Sequence, residues 1–338
     1  MIQSRELKLL LSGDAMLGRK VNEVIHQTGP SYPLEPLTPL TRAADLFFTN
    51  LECAISPQDK IYSGRPKAFY LRADPVAAET LSNADVDLVS LANNHALDAN
   101  FAGLLDTLAI LDKAGIRHVG AGEDLAEASW PVRFEVKGMK IGVLAYCDHQ
   151  PDFAAGVHRP DIRYVDLADS ATLDLLFKEV ADLAAQVDHV VVAFHWLPNW
   201  ISHIPPFYRS LARDLVSSGA RLIWGHSPHH FQGVEWIDQS LVIYSSGGLV
   251  DDYALEPNFR NDRELLFQVT LSPLGVEQIT VFPIELDFAR TYPTRTEARE
   301  WIIWRLKQMC AEVGSRVETD GKWVEILPME VPVELEKE

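Results

Sequence analysis

Short apolar runs alternate with segments of helical periodicity along most of the chain, and this alternation limits the fold more than any other feature. The apolar runs are residues 7–12, 46–49, 88–91, 140–146, 189–194 and 221–224. The segments with a helical period are residues 75–82, 101–114, 171–185 and 206–218. Strands that alternate with helices predict an α/β fold in which the helices cover the outer faces of the sheets.

The pattern changes near residue 231. Successive apolar stretches with short turns between them predict an antiparallel section: FQGVEWID, SLVIYSSGG, ELLFQVTLSP and VEQITVFPIEL. A helix over 294–313 and a short strand over 324–327 then close the chain. Since no Pro/Gly-rich linker interrupts the sequence, we predict one domain over residues 1–286, on which the helix and strand of residues 287–338 pack.

The composition of the chain argues against several classes of function and cellular location. The formal net charge is −18, which argues against general nucleic-acid binding. Three cysteines without a Cys-x-x-Cys spacing indicate a reducing compartment. The apolar run near the N-terminus is too short for a secretory signal, and the chain lacks the run of about 18 apolar residues that a membrane span requires. We therefore expect a cytoplasmic protein.

Acidic, amide and imidazole side chains follow most of these apolar runs within a few residues. They are Asp14, Asn50, Glu52, Asn93, Asn94, His95, His195, His226, His229 and His230. If the runs share a sheet, their carboxyl ends meet at one edge, where open α/β sheets hold their ligands. Mixed oxygen and nitrogen ligands suit Mn, Zn, Fe or Co, and this set exceeds what one tetrahedral ion needs. The sequence therefore predicts a centre of two divalent transition metal ions.

Each of these residues also has a purely structural explanation. Asp14 follows Ser-Gly and could end a turn. Asn93 and Asn94 could form another turn, and Asp98 could cap the next helix. A single histidine on a buried strand, such as His195, is more often hydrogen-bonded within the core. The metal centre is favoured because these residue types recur at successive strand ends.

Ordered sequence blocks resemble the signatures of a known family: GDAMLGR (13–19), NLECAIS (50–56), SLANNHALD (90–98), FHW (194–196) and GHSPHHFQGVE (225–235). Together they resemble the poly-γ-glutamate capsule-synthesis (CapA-like, PGA_cap) family, which belongs to the calcineurin-like metallophosphoesterase superfamily. The resemblance implies a four-layer α-β-β-α sandwich, in which two sheets pack face to face between helices.

The resemblance also implies a role for each site residue. It implies the following metal ligands: Asp14 and His229 for the first ion, Asn94, His195 and His226 for the second, and Glu52 for both. A hydroxide between the ions would attack the substrate while His95 acts as general acid. The residues expected to support these groups from behind are Asn50, Asn93, Asp98 and Asp251.

Two positions depart from the pattern of the superfamily. Met16 stands where a histidine usually contributes to the first metal site, so that site has fewer protein ligands. Gly247-Gly248-Leu249 stands in place of the family's Gly-Asn-Phe and is followed by Asp251 and Asp252. The two carboxylates could support the site from behind or could mark a divergent subgroup.

Basic side chains near the blocks are candidates for contact with the substrate. Arg19 follows the first block within one helical turn, and the segment SGRPKAFYLRADP contains Arg65 and Lys67. The alternative for that segment is a solvated basic loop. An acidic protein needs a local cationic group of this kind to hold a phosphate or a polycarboxylate.

The sequence favours a metal-dependent hydrolase that cuts a phosphoester or a related bond in an anionic substrate. Two alternatives stay open. One is a non-hydrolytic accessory protein for poly-γ-glutamate synthesis or export, which would bind polyglutamate at the same cleft. The other is a hydrolase of γ-glutamyl amides. A shared fold does not choose among these functions.

Overall fold

A computed structural model describes residues 6–294 and 296–329 of the chain. The strands are β1 (Leu7–Ala15), β2 (Leu46–Leu51), β3 (Ala54–Ile55), β4 (Arg72–Ala73), β5 (Leu88–Ser90), β6 (Arg117–Val119), β7 (Ala121–Gly122), β8 (Val132–Val136), β9 (Met139–Cys147), β10 (Asp161–Ile162), β11 (His189–His195), β12 (Ala220–His226), β13 (Val234–Ile237), β14 (Ser240–Ile243), β15 (Gly248–Val250), β16 (Arg263–Ser272), β17 (Gly275–Asp287), β18 (Arg290–Pro293), β19 (Ser315–Thr319) and β20 (Val324–Pro328). The α-helices are α1 (Arg19–Thr28), α2 (Thr38–Thr41), α3 (Ala77–Asn83), α4 (Asn100–Ala114), α5 (Leu125–Ala128), α6 (Ser170–Ala184), α7 (Pro206–Ser217) and α8 (Thr296–Glu312). Short 3₁₀ helices lie at Glu35–Leu37 and Pro151–Phe153.

The α/β prediction is confirmed for the first two thirds of the chain. The predicted runs are the strands β1, β2, β5, β9, β11 and β12, and the predicted helices are α3, α4, α6 and α7. Every side chain of β2 and β11 is buried. A strand that is covered on both faces needs a continuous apolar run rather than an alternating one, which is the pattern that the sequence shows.

Two large sheets contain most of the strands. Among the described residues, the larger sheet has the order β19-β20-β17-β16-β1-β2-β5-β6, with β15 paired to β1 and β18 to β17. The smaller sheet has the order β13-β14-β12-β11-β9-β8. In the larger sheet β1, β2, β5 and β6 are parallel, and in the smaller sheet β9, β11, β12 and β14 are parallel. The carboxyl ends of the parallel strands therefore lie together at one edge of each sheet.

The predicted antiparallel section is confirmed only in part. β16, β17 and β18 pair antiparallel, and so do β19 and β20. β13 and β14 also pair antiparallel as predicted, but β14 is in addition parallel to β12, and the prediction is wrong for β15, which is parallel to β1. A short apolar run does not show which strands of a sheet it will lie beside. Its neighbours in the sheet decide whether it pairs parallel or antiparallel.

The two large sheets share one apolar core. Trp224 of β12 donates a hydrogen bond from its indole N–H to the carbonyl of Ser12 in β1 at 3.0 Å, and its ring centroid lies 6.4 Å from that of Phe48 in β2. The alternate residues Val190 and Val192 of β11 pack instead in a second core with residues of α6 and α7. The smaller sheet is thus covered by a sheet on one face and by helices on the other, because successive strand residues point to opposite faces.

The C-terminal helix packs on the same core. Ile302, Leu306 and Cys310 of α8 are buried together with residues of β1. The predicted boundary at residue 286 stays a prediction, and residues 330–338 of the predicted C-terminal segment lie outside the described residues. In the part of the chain that the structure describes, no helix combines the length and apolarity needed to cross a bilayer.

Candidate metal centre

The parallel strands of both sheets deliver polar side chains to one cleft. Asp14 near the end of β1 lies opposite Asn50 of β2, and His195 at the end of β11 lies opposite His226 of β12. Glu52 follows β2 directly. All five residues are no more than 2% exposed. Positions that are up to 212 residues apart in the sequence therefore share one buried site.

The side chains form two groups that could each hold a cation. One group consists of Asp14, His195 and His226, and the other of Asp14, Glu52 and His229. In each group the ligand atoms lie within 4.8 Å of one another. His229 Nδ1 lies 3.3 Å from Asp14 Oδ2 and 3.7 Å from Glu52 Oε2. A carboxylate common to two groups is the arrangement that a pair of cations requires.

The carboxylate that belongs to both ligand groups is not the one that the family resemblance implies. The family resemblance assigns the bridging position to Glu52, whereas Asp14 belongs to both groups. Glu52 also reaches both sides of the cleft, since its Oε1 lies 4.0 Å from His195 Nε2 and its Oε2 3.7 Å from His229 Nδ1. The bridging role of Glu52 stays a prediction, and Asp14 is a second candidate for it.

Among the described residues, buried ligand atoms at the cleft lack well-aligned hydrogen-bond partners. They are Asp14 Oδ2, Glu52 Oε1, His226 Nε2 and His229 Nδ1, and Asn94 Oδ1, next to His95 in the chain, is a further such atom. More than nine in ten buried polar groups in proteins are hydrogen-bonded, so a cluster of unpartnered atoms needs an explanation. All of these atoms are of types that bind divalent cations. The donor set therefore fits the predicted metal ions.

The imidazoles of His195 and His226 are held in a form that can bind metal. Their Nδ1 atoms lie 2.8 Å apart, so one ring donates a hydrogen bond and the other accepts it. Burial, followed by the neighbouring His226, lowers the pKa of His195 well below its usual value. Burial likewise lowers the pKa of His226 to about 4. Both rings are therefore neutral at pH 7, which is the state that coordinates metals.

Several acidic side chains are crowded together at the cleft, where burial and mutual repulsion oppose their ionisation. Burial and the neighbouring Asp14 raise the pKa of Glu52 well above its usual value. Burial lowers the pKa of His229, but Glu52 and Asp14 outweigh it and raise that pKa to about 9. Burial also raises the pKa of the nearby Asp251 to about 6. Divalent cations would offset this repulsion and would displace the proton of His229 on binding.

A chain of amides supports the cleft from behind. Asn50 Nδ2 donates to Asp14 Oδ1 at 2.8 Å, and Asn93 Nδ2 donates to Asn50 Oδ1 at 3.1 Å. The backbone N–H of His95 donates to Asn93 Oδ1 at 3.0 Å. These bonds fix Asp14 and orient the loop that carries Asn94 and His95. The structure thus places Asn50 and Asn93 beside the residues that they are expected to support.

His95 is oriented by a buried carboxylate. Asp98 Oδ2 accepts hydrogen bonds from His95 Nδ1 at 2.5 Å and from the backbone N–H of Leu71 at 2.6 Å. Lys67 Nζ donates to Asp98 Oδ1 at 2.5 Å and also to the carbonyl of Asn94. Because Nδ1 bonds Asp98, the Nε2 atom of His95 is left for another partner.

The three basic candidates lie in different surroundings. Lys67, whose side chain is 9% exposed, is bound to Asp98 rather than open to a ligand. Arg19 borders a cavity of about 410 Å³ that opens beside the site, and its Nη2 lies 2.9 Å from Asp252 Oδ1. Arg65 is exposed and is not among the residues that line this cavity. The cavity is lined by Arg19, Phe69, Leu71, His95, Asn199, Trp200, His229, Tyr253, Ala254, Leu255 and Glu256.

Sequence reasoning missed three residues at the cleft. The ring of His149 lies 5.5 Å from that of His195, and His149 follows β9 just as the other candidates follow their strands, so the same signal would have found it. Tyr253 donates its hydroxyl to Glu52 Oε2 at 3.5 Å, and Glu264 accepts from the backbone N–H of Phe231 at 3.1 Å. No sequence pattern singles out these last two residues.

The residues at and beside the two positions that depart from the expected pattern are closely packed. Met16 is fully buried in the main core. Gly247 has a φ of +71°, and a Cβ atom there would lie 1.8 Å from Glu264 Oε2. A Cβ on Gly13 would lie 1.7 Å from the carbonyl oxygen of Gly247. Only glycine therefore allows β1 and the segment before β15 to approach this closely next to Asp14.

The fold and the site together define an α/β protein with a candidate two-cation centre at the carboxyl ends of its parallel strands. Residues 8–253 match the family described as "Bacterial capsule synthesis protein PGA_cap", and the chain belongs to that family. The family prediction is thereby confirmed.

Similar proteins agree with this membership. The capsule biosynthesis protein CapA of Bacillus anthracis is 28% identical over 289 residues, which are 84% of this chain and 68% of that protein. A protein of Mycobacterium tuberculosis named "Probable polyglutamine synthesis accessory protein" is 28% identical over 371 residues, covering 95% of this chain and 96% of its own. A solved structure of a hypothetical protein from Thermus thermophilus superposes with a TM-score of 0.50 at 16% identity, covering 82% of this chain and 99% of that chain, and supports the fold alone.

Proposed function

We propose that this protein is a metal-dependent hydrolase that cuts a phosphoester or a related bond in an anionic substrate. The observation that carries the proposal is the cluster of unpartnered buried ligand atoms around Asp14, with His95 on the wall of the adjoining cavity. A structural cluster would satisfy its own hydrogen bonds. The four-layer arrangement of the sheets and helices and the cytoplasmic location are part of the same proposal.

The ligands of the proposed ions follow from the two groups. Asp14, His195 and His226 would hold one ion, and Asp14, Glu52 and His229 the other. Asn94 supplies a further unpartnered oxygen. Divalent Mn, Zn, Fe or Co ions would supply positive charge beside the reacting group and would make water easier to deprotonate. In a chain with a formal net charge of −18, they would also be the local attraction that an anionic substrate needs.

His95 is suited to proton transfer at its Nε2 atom. Burial is the larger effect and lowers the pKa of His95 below its usual value, while the adjacent Asp98 partly offsets this lowering. Asp98 binds Nδ1 and therefore leaves Nε2 as the nitrogen that can exchange a proton with a ligand in the cavity. A proton on Nε2 can pass to the leaving oxygen of a substrate that is bound there.

A second candidate function is supported by the family. The chain belongs to the capsule-synthesis family, and its relatives are named for capsule, PGA or polyglutamine synthesis. In this case the protein would take part in poly-γ-glutamate synthesis or export. It would use the same cations either to bind the carboxylates of polyglutamate or to hydrolyse a γ-glutamyl amide.

One experiment separates these functions. Purified protein is analysed for metal and then supplied with Mn, after which turnover of an aryl phosphate and of a γ-glutamyl anilide is measured beside binding of γ-linked polyglutamate. Turnover of the phosphate supports the phosphoesterase, whereas turnover of the anilide supports the amidase. Polyglutamate binding without either turnover supports the accessory role. A protein that binds no transition metal would contradict all three.

A further inference from the structure

The cavity beside the metal cleft has an apolar and aromatic wall. Phe69 and Leu255 both border this cavity of about 410 Å³ and are 62% and 52% exposed. Trp200 and Tyr253 line it as well, with ring centroids 5.7 and 5.2 Å from that of His229. Exposed apolar side chains that gather at one concave site commonly mark a binding surface.

The guanidinium of Arg19 on this wall is already paired with a carboxylate. The guanidinium of Arg19 lies 2.9 Å from the carboxylate of Asp252, whose side chain is fully buried. Asp252 also accepts a hydrogen bond from the backbone N–H of Lys20 at 3.0 Å, at the N-terminus of α1. Glu256 adds a carboxylate to the lining. The part of the wall formed by Arg19 and Glu256 therefore offers no net positive charge to a polyanion.

Arg19 instead completes a stack of flat groups. Its guanidinium carbon lies 5.3 Å from the ring centroid of Phe69 and 5.9 Å from that of Tyr253. A guanidinium that is paired with a carboxylate and lies near two rings forms with them a set of flat, weakly polar groups. Such a set favours contact with another planar, weakly polar group.

We propose that the ligand of this site carries an uncharged aromatic or similarly flat apolar group next to its anionic group, and that Phe69, Leu255 and the Arg19–Tyr253 stack hold that flat group in the cavity. The inference rests on the proposed function, because the anionic group is the part that the metal ions would hold. His95 and His229 line the same cavity, so the two parts of the ligand would be adjacent.

A matched pair of probes tests the inference by binding rather than by turnover. The Mn-loaded protein is titrated calorimetrically with phenylphosphonate and with methylphosphonate, which share the anionic head and differ in the ring. We expect phenylphosphonate to bind about tenfold more tightly, since burial of a ring contributes a free energy of this size. In the variants Phe69→Ala and Leu255→Ala the preference should fall to about threefold or less, with methylphosphonate binding unchanged.

A control variant checks that the effect is specific to the cavity. Each possible outcome supports or contradicts the pocket, the hydrolase or both. Leu274→Ala removes an apolar side chain that is 80% exposed in the turn between β16 and β17, and it should leave the preference intact. Equal binding of the two phosphonates, or a preference that survives both pocket variants, overturns the aromatic pocket but not the metal site. Tight phenylphosphonate binding without turnover of phenyl phosphate supports the pocket and contradicts the hydrolase. If neither phosphonate binds, both proposals fall.

Discussion

Two buried polar clusters in this molecule differ in whether their atoms have partners. In the first, Glu235 is 5% exposed and accepts hydrogen bonds from Arg209 at 2.7 Å and from the hydroxyl of Tyr244 at 2.6 Å. In the second, Asp14 and Glu52 are just as buried, yet each has a carboxylate oxygen without a hydrogen-bond partner. The comparison teaches that burial and charge do not identify a ligand site. What sets the second cluster apart is that several unsatisfied atoms of metal-binding types lie together.

The largest expected effect is the loss of metal from the second cluster. His195→Asn should reduce bound metal to about a tenth or less, because it removes a ligand from the group of Asp14 and His226. Metal content per folded protein is measured by plasma mass spectrometry after loading with Mn. The matched control is His189→Asn at the opposite end of β11, where His189 is also buried and bonds the carbonyl of Ser272. Retention of metal by His195→Asn would contradict the proposed centre.

The next largest effect concerns turnover without loss of metal. We expect His95→Ala to lower kcat for an aryl phosphate by about 10²–10⁴-fold, the usual contribution of a positioned proton donor. Bound metal should stay unchanged, because His95 belongs to neither ligand group. Asp98→Asn should lower kcat in the same direction and shift the pH profile, since it removes the charge that supports a protonated His95. Full turnover by His95→Ala would show that the proton comes from elsewhere.

A substitution in the first cluster should lower the stability of the fold and leave the metal content unchanged. Glu235→Ala removes the acceptor of the buried Tyr244 hydroxyl and of the partly exposed Arg209 guanidinium, and it should lower the free energy of unfolding by about 2–3 kcal/mol. Chemical denaturation followed by circular dichroism measures this change. Metal bound per folded molecule should not change. A marked loss of metal in this variant would mean that the two clusters are coupled.

The smallest expected effect is an increase, rather than a decrease, in the free energy of unfolding. Because the pKa of Glu52 is raised in the folded protein, its contribution to stability is fully present below its unfolded pKa and is lost as the pH rises toward the folded value. In metal-free protein, Glu52→Gln should therefore raise the free energy of unfolding at pH 7 by about 1–3 kcal/mol and flatten its pH dependence. Denaturation in chelator at pH 5 and pH 8 checks this. With Mn present the variant should be less stable than the parent, because the ion has lost a ligand.

Much of the site could be predicted from the sequence because its signals are local. Asp14, Glu52, Asn94, His195 and His226 each follow an apolar run, and the ends of parallel strands meet by geometry alone. His149 follows the apolar run of β9 in the same way, so the same rule predicts it as a site residue. Lys67 could not be placed in this way, since its position in a basic segment is equally consistent with an open loop and with the buried contact to Asp98.

The sequence by itself determined the alternation of strands and helices, the types of ligand atoms and the order in which the chain supplies them, because each depends on near neighbours in the chain. Only the tertiary structure decided that Asp14 is common to both ligand groups, that Asp252 neutralises Arg19, and that Phe69 and Leu255 border one cavity. These relations join residues from separate sheets and loops. They arise from packing, which fixes distances that no spacing along the chain records.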